Sequence, residues 1–193
     1  MSRTIYNTAT SLDGFIADQD HSLEWLFTAD REGREQAGAG EKPGGSEAEQ
    51  EIDTFMAQAG AVVMGATTYE WLRQEMPDEP WPYSIPAWVL THRDLPRYEA
   101  DIRFASADTD TQLRDLHKEW VKAADGRNVW LVGGGKLAAD LARLDLLDEV
   151  VATIAPVTLG AGAPLMDGRV KLELLDVHRT GPFACTHYEV VKA

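Results

Sequence analysis

The chain has 193 residues, 44% of them hydrophobic, which suits one domain with a sizeable core. A net charge of −14 argues against a nucleic-acid or anionic-membrane surface, since both need clustered Lys and Arg, but leaves room for a small anion held by backbone amides. The single Cys185 excludes an internal disulfide and a multi-cysteine zinc site, and no apolar run approaches ~18 residues, so a soluble cytoplasmic protein is expected.

Thr4 to Thr10 alternates loosely and ends at Ser11-Leu-Asp-Gly-Phe-Ile-Ala17, where Asp13-Gly14 between extended segments signals a turn. Leu23, Trp25, Leu26 and Phe27 form a compact apolar group, in which Trp25 is a core or lid residue or a substrate platform. From about residue 31 to 47, five glycines, Pro43 and many charges leave little to bury, which predicts a mobile surface loop. Ser46 has the place of a helix N-cap, with Glu49 three residues on completing a capping box. Ile52, Phe55, Met56 and Ala59 then share one helical face. Glu49 lies nearer the centre of that face than Glu51 or Asp53, where desolvation can hold a proton for catalysis.

Ala61-Val-Val-Met64 is a short buried strand, followed by Gly65 and a helix beginning at Ala66-Thr67-Thr68-Tyr69. Ala87-Trp-Val-Leu90 is another strand, ending at Thr91-His92-Arg93, the strand end where open α/β sheets bind ligands. Ile102 to Ala105 is a strand, and Leu113, Leu116, Trp120 and Ala124 mark a helix opened by Asp108 or Thr109. Val129 to Val132 reads as a central strand, followed by Gly133-Gly134-Gly135-Lys136-Leu137 and an apolar helical repeat through Leu141 and Leu144. Glycines at such a junction allow close backbone approach, and free N–H groups at the helix start favour an anion; the same residues equally suit a tight strand-to-helix turn that binds nothing. Dinucleotide and Walker fingerprints are both rejected, because Ala138, Trp130 and Leu137 stand where their required residues should be.

Val150 to Ile154 is a strand, Pro156 to Leu165 a glycine-rich loop, and Val170 to Val177 with Ala184 to Val191 an antiparallel hairpin turning at Gly181-Pro182. His178 and His187 are placed to face each other across it, and the five histidines show no metal-ligand spacing. No nucleophile elbow occurs.

Alternating strands and helices ending in a hairpin give an α/β fold with a mixed sheet. With Ser11-Leu-Asp-Gly-Phe-Ile-Ala, Val63-Met-Gly-Ala-Thr-Thr-Tyr-Glu, Val132-Gly-Gly-Gly-Lys-Leu and Pro156-Val-Thr-Leu-Gly-Ala-Gly-Ala-Pro-Leu in order, the chain resembles the dihydrofolate-reductase-like superfamily. It is most similar to the C-terminal reductase domain of the bifunctional riboflavin-biosynthesis deaminase-reductase, over nearly all of residues 1–193. The resemblance implies a three-layer fold, a mostly parallel central sheet with an antiparallel C-terminal hairpin, helices on both faces, and a homodimer. It implies an NADPH-dependent reductase of a small pterin-like or ribosylamino-pyrimidine substrate. Ala9 and Ile16 would then meet the nicotinamide end. Gly65, Ala66, Thr67 and Thr68 would lie along the pyrophosphate. Leu90, Thr91, His92 and Arg93 would surround the adenosine and 2′-phosphate, with Gly133 to Leu137 (Lys136 included) over the middle. Two departures follow: Ala66 lacks the family's frequent cation, and the helix carboxylate is Glu49 by counting back from Met64 but Glu51 by spacing to Phe55. The competing reading is a non-catalytic nucleotide-binding or sensing protein on the same scaffold.

Overall fold

The structure, a computed structural model, describes residues 2–36, 47–77 and 79–192. The elements run in the order β1 (Thr4–Ser11), β2 (Phe15–Ala17), α1 (Glu24–Gln36), α2 (Glu47–Gln58), β3 (Ala59–Gly65), α3 (Ala66–Glu75), β4 (Ala87–Leu90) and β5 (Ile102–Ala105). Then come α4 (Asp110–Ala123), β6 (Asn128–Gly133), α5 (Gly135–Arg143), β7 (Glu149–Ala155), β8 (Ala163–Pro164), β9 (Leu172–Thr180) and β10 (Phe183–Val190). Eight strands form one sheet in the order β5-β4-β3-β6-β1-β7-β10-β9. The first six are mutually parallel, whereas β10 runs antiparallel to both β7 and β9. The expected α/β architecture with a mixed sheet is therefore present. Among the described residues no helix is long and apolar enough to cross a membrane.

Strand alternation builds the two faces. In β3, Ala61 and Val63 point to one side and Val62 and Met64 to the other, all fully buried, as a central parallel strand requires. On the first side Val63, Val129, Leu131 and Tyr6 pack with Leu113 and Trp120 of α4 and Leu141 of α5. On the second, Met64, Val89 and Trp130 meet Tyr69 and Leu72 of α3 and Ile52 and Phe55 of α2. The α4 start is Thr109, whose hydroxyl accepts from Gln112 N while the Gln112 side chain returns to the cap.

Two expectations change. The predicted loop over 31–47 begins as helix, because α1 extends to Gln36. Arg34 pairs with Asp30 one turn back, and Gly33 lies where an added Cβ would be 2.5 Å from Pro182, so packing on the hairpin turn outweighs glycine's low helix propensity. Residues 37–46 of that loop, the Ser46 cap included, lie outside the described residues, although the helix Ser46 was to open is present as α2, which takes in the loop's last residue, Glu47. The hairpin is also less evenly buried than its alternation suggests. As the outermost strand, β9 is exposed from Leu172 to Arg179, since the helical layers cover the inner strands.

Candidate active site

Parallel pairing brings four strand-to-helix or strand-to-loop junctions to one edge. Because β4, β3, β6 and β1 are sheet neighbours running the same way, Leu90, Gly65, Gly133 and Ser11 all end at that edge. The helices α3 and α5 start there, and neither N-cap (Gly65, Gly134) supplies a side-chain hydrogen bond to the first-turn N–H groups. Each glycine of the triplet has its own reason. A Cβ at Gly133 would be 2.6 Å from Thr68 Oγ1, so its absence lets α3 rest against β6. Gly134 has φ 108°, a left-handed conformation that starts α5. A Cβ at Gly135 would be 2.1 Å from the Pro164 carbonyl oxygen. A Cβ at Gly65, by contrast, would meet nothing within 4 Å. This edge fits a bound phosphate: two helix starts converge and the glycine surface stays low.

The cations expected near that phosphate all have acidic partners. The Arg93 guanidinium donates to both Glu70 oxygens at 3.0 and 2.6 Å, while Arg93 N–H donates to Thr91 Oγ1 at 2.9 Å. His92 lies 3.2 Å from Asp108, and Lys136 Nζ lies 2.7 Å from Asp140.

The two motifs at the end of β1 form one structure. Asp13 accepts from the Ser11 hydroxyl at 2.6 Å, from Gly160 N at 2.8 Å and from Leu159 N at 3.0 Å. Those donors, Ser11 first, hold its carboxyl down at about 2. Phe15 pairs with Pro164 and Ala17 with Ala163, so Ile16 sits in a small β2–β8 ribbon beside the β1 end. Ala9 is in register with Thr153 of β7.

Thr153 also lines a cavity of about 400 Å³ between α2 and the strands. Phe55 and Ile52 form its apolar wall, with Phe55 edge-on to Trp130 at 5.4 Å; Asn7, Val151 and Cys185 are among the strand residues opposite. Glu51 projects onto this cavity. It accepts a close hydrogen bond from Thr180 Oγ1, and His178 Nε2 stands 3.3 Å from the same oxygen. His178 Nδ1 is 2.8 Å from Asp176, which, ahead of Glu51, raises the imidazole pKa. Burial pushes the Cys185 thiol up.

Of the two helix carboxylates, Glu51 is the one seen in the cavity; the Glu49 side chain lies outside the described residues. Trp25 packs with Ala155, Phe183 and Cys185, donates Nε1–H to Ser22 O, and is not among the cavity lining. His178 and His187 are not paired across the hairpin: the register sets His178 opposite Cys185 and His187 opposite Asp176. His187 instead contacts Glu149 at 2.8 Å, and burial lowers its pKa. Sequence reading missed Thr180, His178 and Asp176 as a group with Glu51. Their alternation along one strand face was visible, but the helix opposite them was not.

The model of the RibD C-terminal domain matches residues 3–186. The chain belongs to the RibD C-terminal domain family. Its sequence relatives include the uncharacterized protein YwjB of Bacillus subtilis (strain 168), 29% identical and covering 96% of this chain and 97% of that protein. A crystal structure of a protein of Shewanella sp. PV-4 assigned to riboflavin biosynthesis superimposes with a TM-score of 0.74, 25% identity, and coverage of 98% and 99%. The deaminase/reductase of Thermotoga maritima shares the fold at a TM-score of 0.62 and 16% identity; the match covers 98% of this chain and 57% of that larger one. This RibD-type chain thus carries the reductase-like domain of that family, which the motif order had indicated.

Proposed function

We propose that this RibD-type domain is a cytoplasmic NADPH-dependent reductase that acts on a small pterin-like or ribosylamino-pyrimidine substrate. The carrying observation is the position of the Glu51 cavity: its floor residue Thr153 is in register with Ala9, at the strand end where the nicotinamide is expected. The fit of the glycine edge to an anionic cofactor supports the other half of the reading. When bound there, the nicotinamide supplies the hydride. The chain orients the ring through the backbone around Ala9 and Ile16. Glu51, held by Thr180 and faced by His178, passes a proton to the substrate. The first experiment is a titration with NADPH and NADH followed through the six tryptophans, then consumption of NADPH with dihydropterin, dihydrofolate and ribosylamino-pyrimidine substrates. No saturable response to either nucleotide would sink the proposal.

Arg93 is assigned to the 2′-phosphate. Since Glu70 occupies its fork, the cofactor must displace one carboxylate, which keeps the net gain at the low end for a charged hydrogen bond. Arg93→Ala is expected to weaken NADPH by about 1.5 kcal/mol, roughly tenfold, with little change for NADH. Glu70→Gln should act oppositely and tighten NADPH. Equal losses for both nucleotides in Arg93→Ala would move the phosphate to His92 or Lys136.

We also propose a homodimer through β9. This outermost strand exposes Leu174, Leu175 and Val177, with relative exposures of 54%, 49% and 59%. A free strand edge with apolar side chains is a template for self-pairing, and a two-fold operation covers both copies at once. Light scattering at micromolar concentration should give twice the 21.3 kDa chain mass, and Val177→Lys should shift it toward the single chain. A monomeric wild type would contradict this.

A further inference from the structure

Glu51, His178 and Cys185 come from α2, β9 and β10, and their donor atoms all lie within 4.8 Å of one another. The carboxylate of Asp176 can only accept, so at 2.8 Å it fixes a proton on His178 Nδ1. This leaves Nε2 to face Glu51 Oε1 at 3.3 Å. In neutral imidazole both of those atoms carry lone pairs, so the contact requires something positive between them, either a proton or a cation. The Cys185 sulfur lies beside this pair and lines the same cavity. Imidazole, thiolate and carboxylate together are the donors that zinc takes, and a carboxylate behind the imidazole is the usual outer partner of a metal-bound histidine.

We propose that Glu51 Oε1, His178 Nε2 and Cys185 Sγ form a three-ligand site for a zinc-like divalent cation, with Asp176 orienting the histidine. Donor atoms around tetrahedral zinc stand roughly 3.2–3.8 Å apart, so modest side-chain rotation of Glu51 and Cys185 closes the set. Binding exchanges the thiol proton, and the proton between His178 and Glu51 when present, for the metal and releases them to solvent. The fourth position faces the cavity and takes water or a donor atom of whatever occupies it. Side-chain exposures of 49% for His178 and 47% for Glu51 leave the ion a route in. The site stands on these donors alone. If the chain is the proposed reductase, the ion competes with substrate proton delivery at Glu51.

The test is a titration of the full chain with Co²⁺, followed by displacement with Zn²⁺. Expected are tetrahedral visible bands with a sulfur-to-cobalt charge-transfer band, and complete displacement by zinc. Cys185→Ser should abolish the charge-transfer band, and Asp176→Asn, which leaves all three ligands in place, should weaken binding by roughly 10–100-fold. Circular dichroism on each variant reports the fold. Should Cys185→Ser not fold, Asp176→Asn and His178→Ala carry the test. The proposal is overturned by absence of the charge-transfer band in the wild type, or by unchanged affinity in the folded variants, which would mark diffuse binding to an acidic surface. None of these readouts uses NADPH or turnover, so failure here leaves the reductase reading standing, and the reverse.

Discussion

Glu51→Gln is expected to lower turnover at neutral pH by ~10²–10⁴-fold, the span of a positioned acid, while NADPH affinity stays nearly unchanged. The amide keeps the size and an acceptor for Thr180, but it cannot carry the proton that accompanies the hydride. The split follows from place: Glu51 sits on the α2 wall of the cavity, whereas the cofactor's anionic part is assigned to the starts of α3 and α5. Thr180→Val should give a smaller loss, since it removes only the hydroxyl that holds the carboxylate. Single-turnover rates with saturating cofactor check both. Full activity in Glu51→Gln together with loss in Glu49→Gln would return the role to the other helix carboxylate. Full activity in both would leave the proton to solvent.

Gly135→Ala should be the most damaging single methyl among the glycines of the strand-end edge. The added carbon would be 2.1 Å from the Pro164 oxygen and 2.8 Å from the Leu165 oxygen, and backbone cannot rotate away as a side chain can. Overpacking of this kind costs about 3 kcal/mol or more, which lowers the melting temperature of a chain this long by roughly 6–12 °C. Gly65→Ala is the internal control. Its Cβ enters open space, and φ there is −81°, so stability should barely change. Calorimetry on the two variants separates them. Equal melting temperatures would mean that the β8 segment does not press on α5 as described.

The comparison of these two glycines also shows what the sequence could and could not disclose. Strand, glycine and helix were legible at both junctions, because hydrophobic runs and helical repeats are local signals. Why Gly135 must be glycine was not, since the obstacle is a carbonyl about thirty residues along the chain. The same holds for the candidate carboxylates of α2. Helical phase favoured Glu49, whose side chain lies outside the described residues, and no local signal marked Glu51. The groups that face Glu51, His178 and Thr180, with Asp176 behind the histidine, stand on β9 more than a hundred residues away. The 31–47 segment misled for a related reason: composition suggested loop, while contact with Pro182 keeps its first residues helical.

The position of β1 has a consequence for how the chain acquires its structure in time. Ile5 pairs with Trp130 on one side and Glu149 on the other, so the first strand made has partners only among late ones. During synthesis β3, α3, β4 and β5 can begin to associate while the N-terminal strand waits. Its apolar groups stay uncovered until residues 128–155 have left the ribosome. Such non-local pairing makes folding slow for a chain of this size, because loop closure is required before any contact rewards it.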